Sequence, residues 1–153
     1  MNQVYLLLGS NIEPEKNIPL AIESLKKQNR LQVIKISSTW RSKSVGSQSD
    51  DFLNVAVYIT TSCDLFSLKE KVLCEIEHVM GRVRTEDKNA PRTIDLDIVV
   101  FNGKILDEEI FNLDHLTLPL AELLPDLYSP YYKCTLSERS AARIPLTQAK
   151  KVS

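Results

Sequence analysis

Residues 52–61 constrain the fold most. Leu53, Val55, Val57 and Ile59 alternate with Phe52, Asn54, Ala56 and Tyr58. Residues two apart share a face of an extended strand, so this segment reads as a strand with one wholly aliphatic face. Residues 4–8 form a short apolar run that stops at Gly9, the pattern of a central strand buried on both faces. Residues 31–38, with Val33, Ile34 and Ile36, and residues 93–101 read as further strands. Asn102-Gly103 then signals a hairpin turn.

Two segments carry the helical period instead. Ile18, Ala21, Ile22 and Leu25 mark a helix over about residues 15–28, with Pro14 at its first turn. Leu68, Val72, Ile76 and Val79 mark a second helix over about residues 65–80. Asp64 and the Ser67/Glu70 capping-box pair compete for its start, and Gly81 suits its end. Residues 41–51 are polar and contain Gly46, so they read as a loop. The order β-α-β-β-α-β predicts an α+β, ferredoxin-like sandwich: an antiparallel sheet with helices on one face and a short C-terminal extension. Residues 1–153 are expected to form a single domain, with a tail that frays from about residue 140.

Composition removes several classes of function. The formal net charge is −1, so no global field points to nucleic acid or a membrane surface. No apolar run approaches the roughly 20 residues of a membrane helix, and the N-terminus lacks the basic segment of a signal peptide. Cys63, Cys74 and Cys134 are odd in number and lack metal-type spacing, which predicts free thiols and a cytoplasmic location.

The chemistry concentrates around Asp95 and Asp97. At D-x-D spacing in a strand both carboxylates project from one face, while Ile94, Leu96 and Ile98 turn to the core. Such a pair can hold hard cations together with nucleotide phosphates. A solvent-facing strand that happens to carry two acids is the other reading of this short motif. Arg82, Arg84, Lys88 and Arg92 lie in the segment that leads into the strand. Four cations beside two acids suit a polyphosphate clamp, although Glu86 and Asp87 dilute the patch. The segment is long for a plain connection, and such loops are often active-site lids. No Walker lysine follows Gly9, so a P-loop enzyme is not expected. Phe52 and Asn54, two apart, could stack on and hydrogen-bond a flat heterocycle, or could be ordinary half-buried packing.

These residues carry a family resemblance. Leu8-Gly9-Ser10-Asn11, Phe52-Leu53-Asn54, Gly81-Arg82-Val83-Arg84 and above all Pro91-Arg92-Thr93-Ile94-Asp95-Leu96-Asp97-Ile98 resemble the hydroxymethyl-dihydropterin pyrophosphokinases. The resemblance implies a ferredoxin-like enzyme of folate synthesis. Such an enzyme moves pyrophosphate from ATP to the hydroxymethyl group of 6-hydroxymethyl-7,8-dihydropterin and releases AMP. It implies a pair of magnesium ions on Asp95 and Asp97, and catalytic roles for Arg82 and Arg92 at the transferring phosphates. Arg84, Lys88, Glu77, Ile98 and His115 match ATP-binding positions. Ser42, Val45, Phe52, Asn54 and Asp95 match pterin-binding positions. The implied partners are ATP and a reduced pterin, with room for association with other folate-pathway enzymes; neither nucleic acid nor membrane is implied. A homologue acting on another pterin, and an inactive ATP- or pterin-binding ferredoxin-like module, are the alternatives.

The chain departs from the family pattern in two places. Asn89 stands where the family often has a tryptophan. After the metal strand, Asp114-His115 runs almost directly into Leu118-Pro119-Leu120, so the Arg-x-Phe segment that supplies a second aromatic wall is missing. His115 aligns either with the family's histidine near ATP or with the lost aromatic.

Overall fold

The computed structural model describes residues 1–43, 51–81 and 93–152. Arg82, Arg84, Lys88, Asn89, Arg92 and Val45 lie outside the described residues.

The long strands are β1 (Asn2–Ser10), β2 (Leu31–Ile36), β4 (Phe52–Thr61) and β5 (Asp95–Phe101). β1 pairs antiparallel with both β4 and β5, and β2 pairs antiparallel with β4. The resulting order, β5-β1-β4-β2, is that of the expected βαββαβ sandwich. β7 (Tyr128–Ser129) and β8 (Cys134–Thr135) pair antiparallel in a separate small sheet, and three other short strands extend the main one. β3 (Trp40–Ser42) continues beside β4 past the end of β2, β6 (Lys104–Ile105) follows the Asn102-Gly103 turn onto β5, and β9 (Lys150–Lys151) adds to β3. β3 begins the segment expected as a loop; a three-residue strand is too short to show a period.

The apolar run in β1 follows from its central position. Val4, Leu6 and Leu8 enter one core with Leu53, Val55, Val57 and Ile59 of β4. α1 (Pro14–Lys26) and the second helical segment close this first face with Ile18, Ala21, Leu25, Leu68, Val72, Leu73 and Ile76. Ile94 and Leu96 are buried in the same core, and Ile98 packs against it.

The second face is also covered, which corrects the one-sided arrangement expected from sequence. Leu7, Ala56, Val99 and Val100 form another core with Ile110, Phe111, Leu120 and Leu136. Those last four come from a 3-10 turn (Glu108–Phe111), α4 (Asp114–Leu123) and α5 (Leu136–Arg143). Part of the expected frayed tail is therefore helix. A Thr135/Glu138 capping box starts α5, and Leu136 is wholly buried. The Arg139 side chain donates to the Phe111 carbonyl at 2.7 Å. Beyond α5, β9 covers the edge of β3, and Lys151 lies over the Trp40 ring at 5.4 Å.

The second helical segment differs in its winding. It runs as α2 (Leu65–Ser67), a π-helical stretch (Leu68–Leu73) and α3 (Cys74–Val79). Asp64 is the cap, accepting from the Ser67 amide at 2.7 Å, and Ser67 makes no side-chain cap bond. A turn closed onto residue i−5 holds one residue more than an α turn, so the buried stripe slips downstream. Leu73 and Glu77 are buried, and Val79, expected in the stripe, is 72% exposed.

Candidate active site at one end of the second face

Strand register brings most of the described candidate residues together. Directly paired residues in neighbouring strands share a face. Trp40 pairs with Asn54, Asn54 with Gly9, and Gly9 with Asp95, giving one row across four strands. The next row runs Ala56, Leu7, Asp97, and the pair Ser42–Phe52 lies on the other side of the first. Ala56 and Leu7 belong to the second core, so this is the face under α4. With neighbouring strands ~4.8 Å apart, the Asn54 and Asp95 backbones stand about 10 Å apart across Gly9.

Each end of the row has its own character. At the β4 end, Asn54 is 4% exposed and its Nδ2 donates to the Ser42 Oγ at 2.8 Å. Phe52 and Ser42 are half-buried. At the β5 end, Asp95 is half-buried and Asp97 exposed. Gly9 separates the two ends. A Cβ there would lie 3.3 Å from Asn54 Oδ1 and 3.7 Å from the Phe52 ring. The absence of a side chain lets the amide and ring lean over β1.

The row is held from outside. Glu122 of α4 accepts from the Ser38 amide at 2.9 Å and from the Trp40 indole N–H at 2.7 Å. This braces β3, and through Ser42 it braces Asn54. The turn after β1 is pinned by Ser10 Oγ and Asn17 Nδ2, which both donate to the Ile12 carbonyl. Sequence reading did not single out Trp40 or Glu122 for such a role. The available signal was a lone charged residue inside the apolar run 118–125.

His115 lies in the first turn of α4, and Asp114 beside it receives a two-pronged contact from Arg143 of α5, at 2.8 and 3.0 Å. The Arg143 hydrogen bonds hold the Asp114 carboxyl below its ordinary range. Burial pushes the His115 imidazole below its ordinary value, only partly opposed by the Asp114 charge. Near pH 7 the ring is therefore neutral.

Glu77 and Ile98 are not on this face. Ile98 packs against the first core, and Glu77 comes from α3, 4% exposed. A Glu77 carboxylate oxygen accepts from the Leu96 amide at 2.8 Å.

The arrangement can hold a flat heterocycle against Phe52 and Asn54 and present hard oxygen donors about 10 Å away. Among the described residues, no cluster of three or more His, Cys, Asp or Glu side chains could hold a metal ion. Two carboxylates on one face fit a hard cation that takes its remaining oxygens from a ligand or water.

Similarity to known proteins agrees with this geometry. Residues 5–125 match the family model described as 7,8-dihydro-6-hydroxymethylpterin-pyrophosphokinase. The chain is 36% identical over 137 residues to a 2-amino-4-hydroxy-6-hydroxymethyldihydropteridine pyrophosphokinase of Methylorubrum extorquens, covering 83% of this chain and 85% of that one. It is 36% identical over 132 residues to the Bacillus subtilis protein of the same name, covering 80% and 78%. A crystal structure of Plasmodium falciparum HPPK-DHPS shares the fold, with a TM-score of 0.72 at 13% identity over 95% of this chain. The chain spans 44% of that larger protein. Together the matched span and these identities place the chain in the 7,8-dihydro-6-hydroxymethylpterin-pyrophosphokinase family.

Proposed function

We propose that this chain transfers pyrophosphate from ATP to the hydroxymethyl oxygen of 6-hydroxymethyl-7,8-dihydropterin, a step of folate synthesis. The observation that supports the reading best is the row Asn54–Gly9–Asp95, in which Asn54 and the carboxylate pair share one face. The pterin oxygen bonds to the β-phosphorus of ATP, the bond from that phosphorus to the α,β-bridging oxygen breaks, AMP leaves, and the hydroxyl proton passes to solvent.

Phe52 stacks on the pterin and Asn54 reads its edge. Ser42 orients the Asn54 amide by accepting from Nδ2. Val45 and Asp95 complete the pterin site. Asp95 and Asp97 would hold magnesium, which supplies Lewis-acid stabilisation of phosphate charge when bound. Arg82 and Arg92 steady the transferring group, while Arg84 and Lys88 bind the polyphosphate. Ile98, whose side chain packs against the first core, meets the nucleotide through its backbone. Burial keeps His115 neutral, which favours its use as a flat ring or hydrogen-bonding group over a cationic phosphate contact.

The setting follows the same reading. Cys63, Cys74 and Cys134 are free thiols, and no helix among the described residues is long and apolar enough to cross a membrane. Both accord with work in the cytoplasm. The HPPK-DHPS structures are named for a second unit alongside the first, which supports association with other folate-pathway enzymes.

An AMP-release assay with ATP, magnesium and the reduced pterin alcohol tests the reading. Pterin-dependent AMP formation is expected. Magnesium-linked ATP-analogue binding without AMP release would favour a module that only binds; turnover of a different pterin alone would favour altered specificity.

A further inference from the structure

β5 carries both carboxylates, and among the described residues it is paired on one side only where they project. β1 pairs with it from Asp95 to Phe101, whereas β6 pairs with Val100 and Phe101 alone. An outward-pointing amide in the first half of β5 therefore has no described strand to receive it, and a buried N–H needs an acceptor. Leu96 is 6% exposed and its N–H is donated to Glu77. The side-chain carboxylate accepts as a neighbouring strand's carbonyl would.

Two further observations make this bond more than edge repair. Leu96 is the residue between Asp95 and Asp97, so the peptide Glu77 grips also sets the backbone directions from which both acids project. Glu77 in turn is buried beside Ile76 because the π-helical stretch delays the helix by about one residue. With an ordinary α winding, the stripe through Leu68, Val72 and Ile76 would continue to Val79.

We propose that Glu77 is a positioning residue: its buried carboxylate holds the Leu96 N–H and so aligns the Asp95/Asp97 pair. The proposal rests on the pyrophosphokinase reading for the use of that pair. It differs from a nucleotide contact, because the effect of Glu77 on ATP travels through β5.

Three substitutions at Glu77 separate these roles. Glu77→Gln keeps an acceptor oxygen at the same reach, Glu77→Asp keeps the charge but withdraws the oxygen, and Glu77→Ala removes both. Hydrogen exchange of the Leu96 amide is measured in ligand-free protein. Calorimetry then gives the magnesium concentration at half-maximal binding of a non-hydrolysable ATP analogue. Glu77→Asp and Glu77→Ala should speed Leu96 exchange and raise the magnesium midpoint roughly 10–100-fold, as loss of an outer-sphere support does. Glu77→Gln should restore both to near wild type. The proposal is overturned if Gln behaves like Ala, if Asp behaves like wild type, or if Ala weakens analogue binding equally with and without magnesium. If the alanine variant does not fold, the Gln/Asp contrast alone decides. A wild-type chain that releases no AMP would sink the pyrophosphokinase reading, and Leu96 exchange would still decide whether Glu77 fixes β5.

Discussion

The two faces of the sheet are made from the same strands and do different work. On the first face β1, β4 and β5 present Leu6, Leu8, Val55, Val57, Ile59 and Leu96 to α1 and the second helical segment, an aliphatic layer. On the second face the same strands present Leu7 and Ala56 to α4, but toward one end they change to Asn54, Gly9, Asp95 and Asp97. Where apolar packing gives way, polar ties take over: Glu122 to Trp40, Ser42 to Asn54, Arg143 to Asp114. Burial on the first face thus supplies a rigid platform, and alternation along the strand turns chemical groups outward from it.

Substituting one residue on each face of β5 and β1 tests this division. Asp97→Ala should reduce AMP release by two or more orders of magnitude, on the order of several kcal/mol of transition-state stabilisation. The melting temperature should barely move, since Asp97 is exposed. Leu8→Ala should do the reverse. Leu8 is 1% exposed within the first core, and its truncation should destabilise by about 2–5 kcal/mol in denaturant titrations, with folded protein keeping most of its turnover per molecule. An Asp97→Ala variant with normal AMP release, or one that unfolds, would break the comparison.

Much of this division was legible in the sequence because it depends on period alone. Two-residue alternation placed Leu53, Val55, Val57 and Ile59 together and Asp95 with Asp97, and both groupings hold. What was hidden depends on long-range packing. The π-helical stretch has no period of its own, so the burial of Glu77 was not readable and Val79 was misassigned. β3 and β9 are too short to carry a signal, and β9 is a pair of lysines held by Trp40. α5 did have a readable start in Thr135-Leu136-Ser137-Glu138. The Trp40–Glu122 brace joins residues 82 positions apart, and no local pattern records such a contact.

The heterocycle end gives smaller, more selective effects. Phe52→Ala should weaken pterin binding by about 1–3 kcal/mol through lost stacking and burial, with ATP-analogue affinity unchanged in calorimetry. Gly9→Ala sharpens the same point. Its methyl would press on Asn54 Oδ1 at 3.3 Å, so pterin affinity should fall while Asp95, on the other side of β1, keeps its magnesium-linked response. Equal loss at both ends would mean that the row moves as one unit and the two ends are not separable.

The smallest effect expected lies where α4 meets α5, and pH isolates it. The folded-state pKa of His115 is lowered by burial. A group depressed in this way contributes stability above its unfolded value, about 6.5, and loses it as pH falls through the folded value. Asp114 is also depressed, through its Arg143 hydrogen bonds, so its contribution is full above about 4 and fades at lower pH. Stability should therefore decline in two stages on acidification, the first from His115 and the second from Asp114. His115→Phe should flatten the first stage and leave the second. Arg143→Ala should lower stability slightly at neutral pH, as loss of a part-exposed ion pair does, and should flatten the second. The same His115→Phe protein separates the two uses of the ring. Improved pterin affinity with intact turnover identifies a neutral wall opposite Phe52, and no effect on either ligand identifies a ring that only positions the turn before Pro119. Lost ATP-analogue affinity identifies a phosphate contact and would mean that ligand binding overcomes the burial that keeps the free ring uncharged.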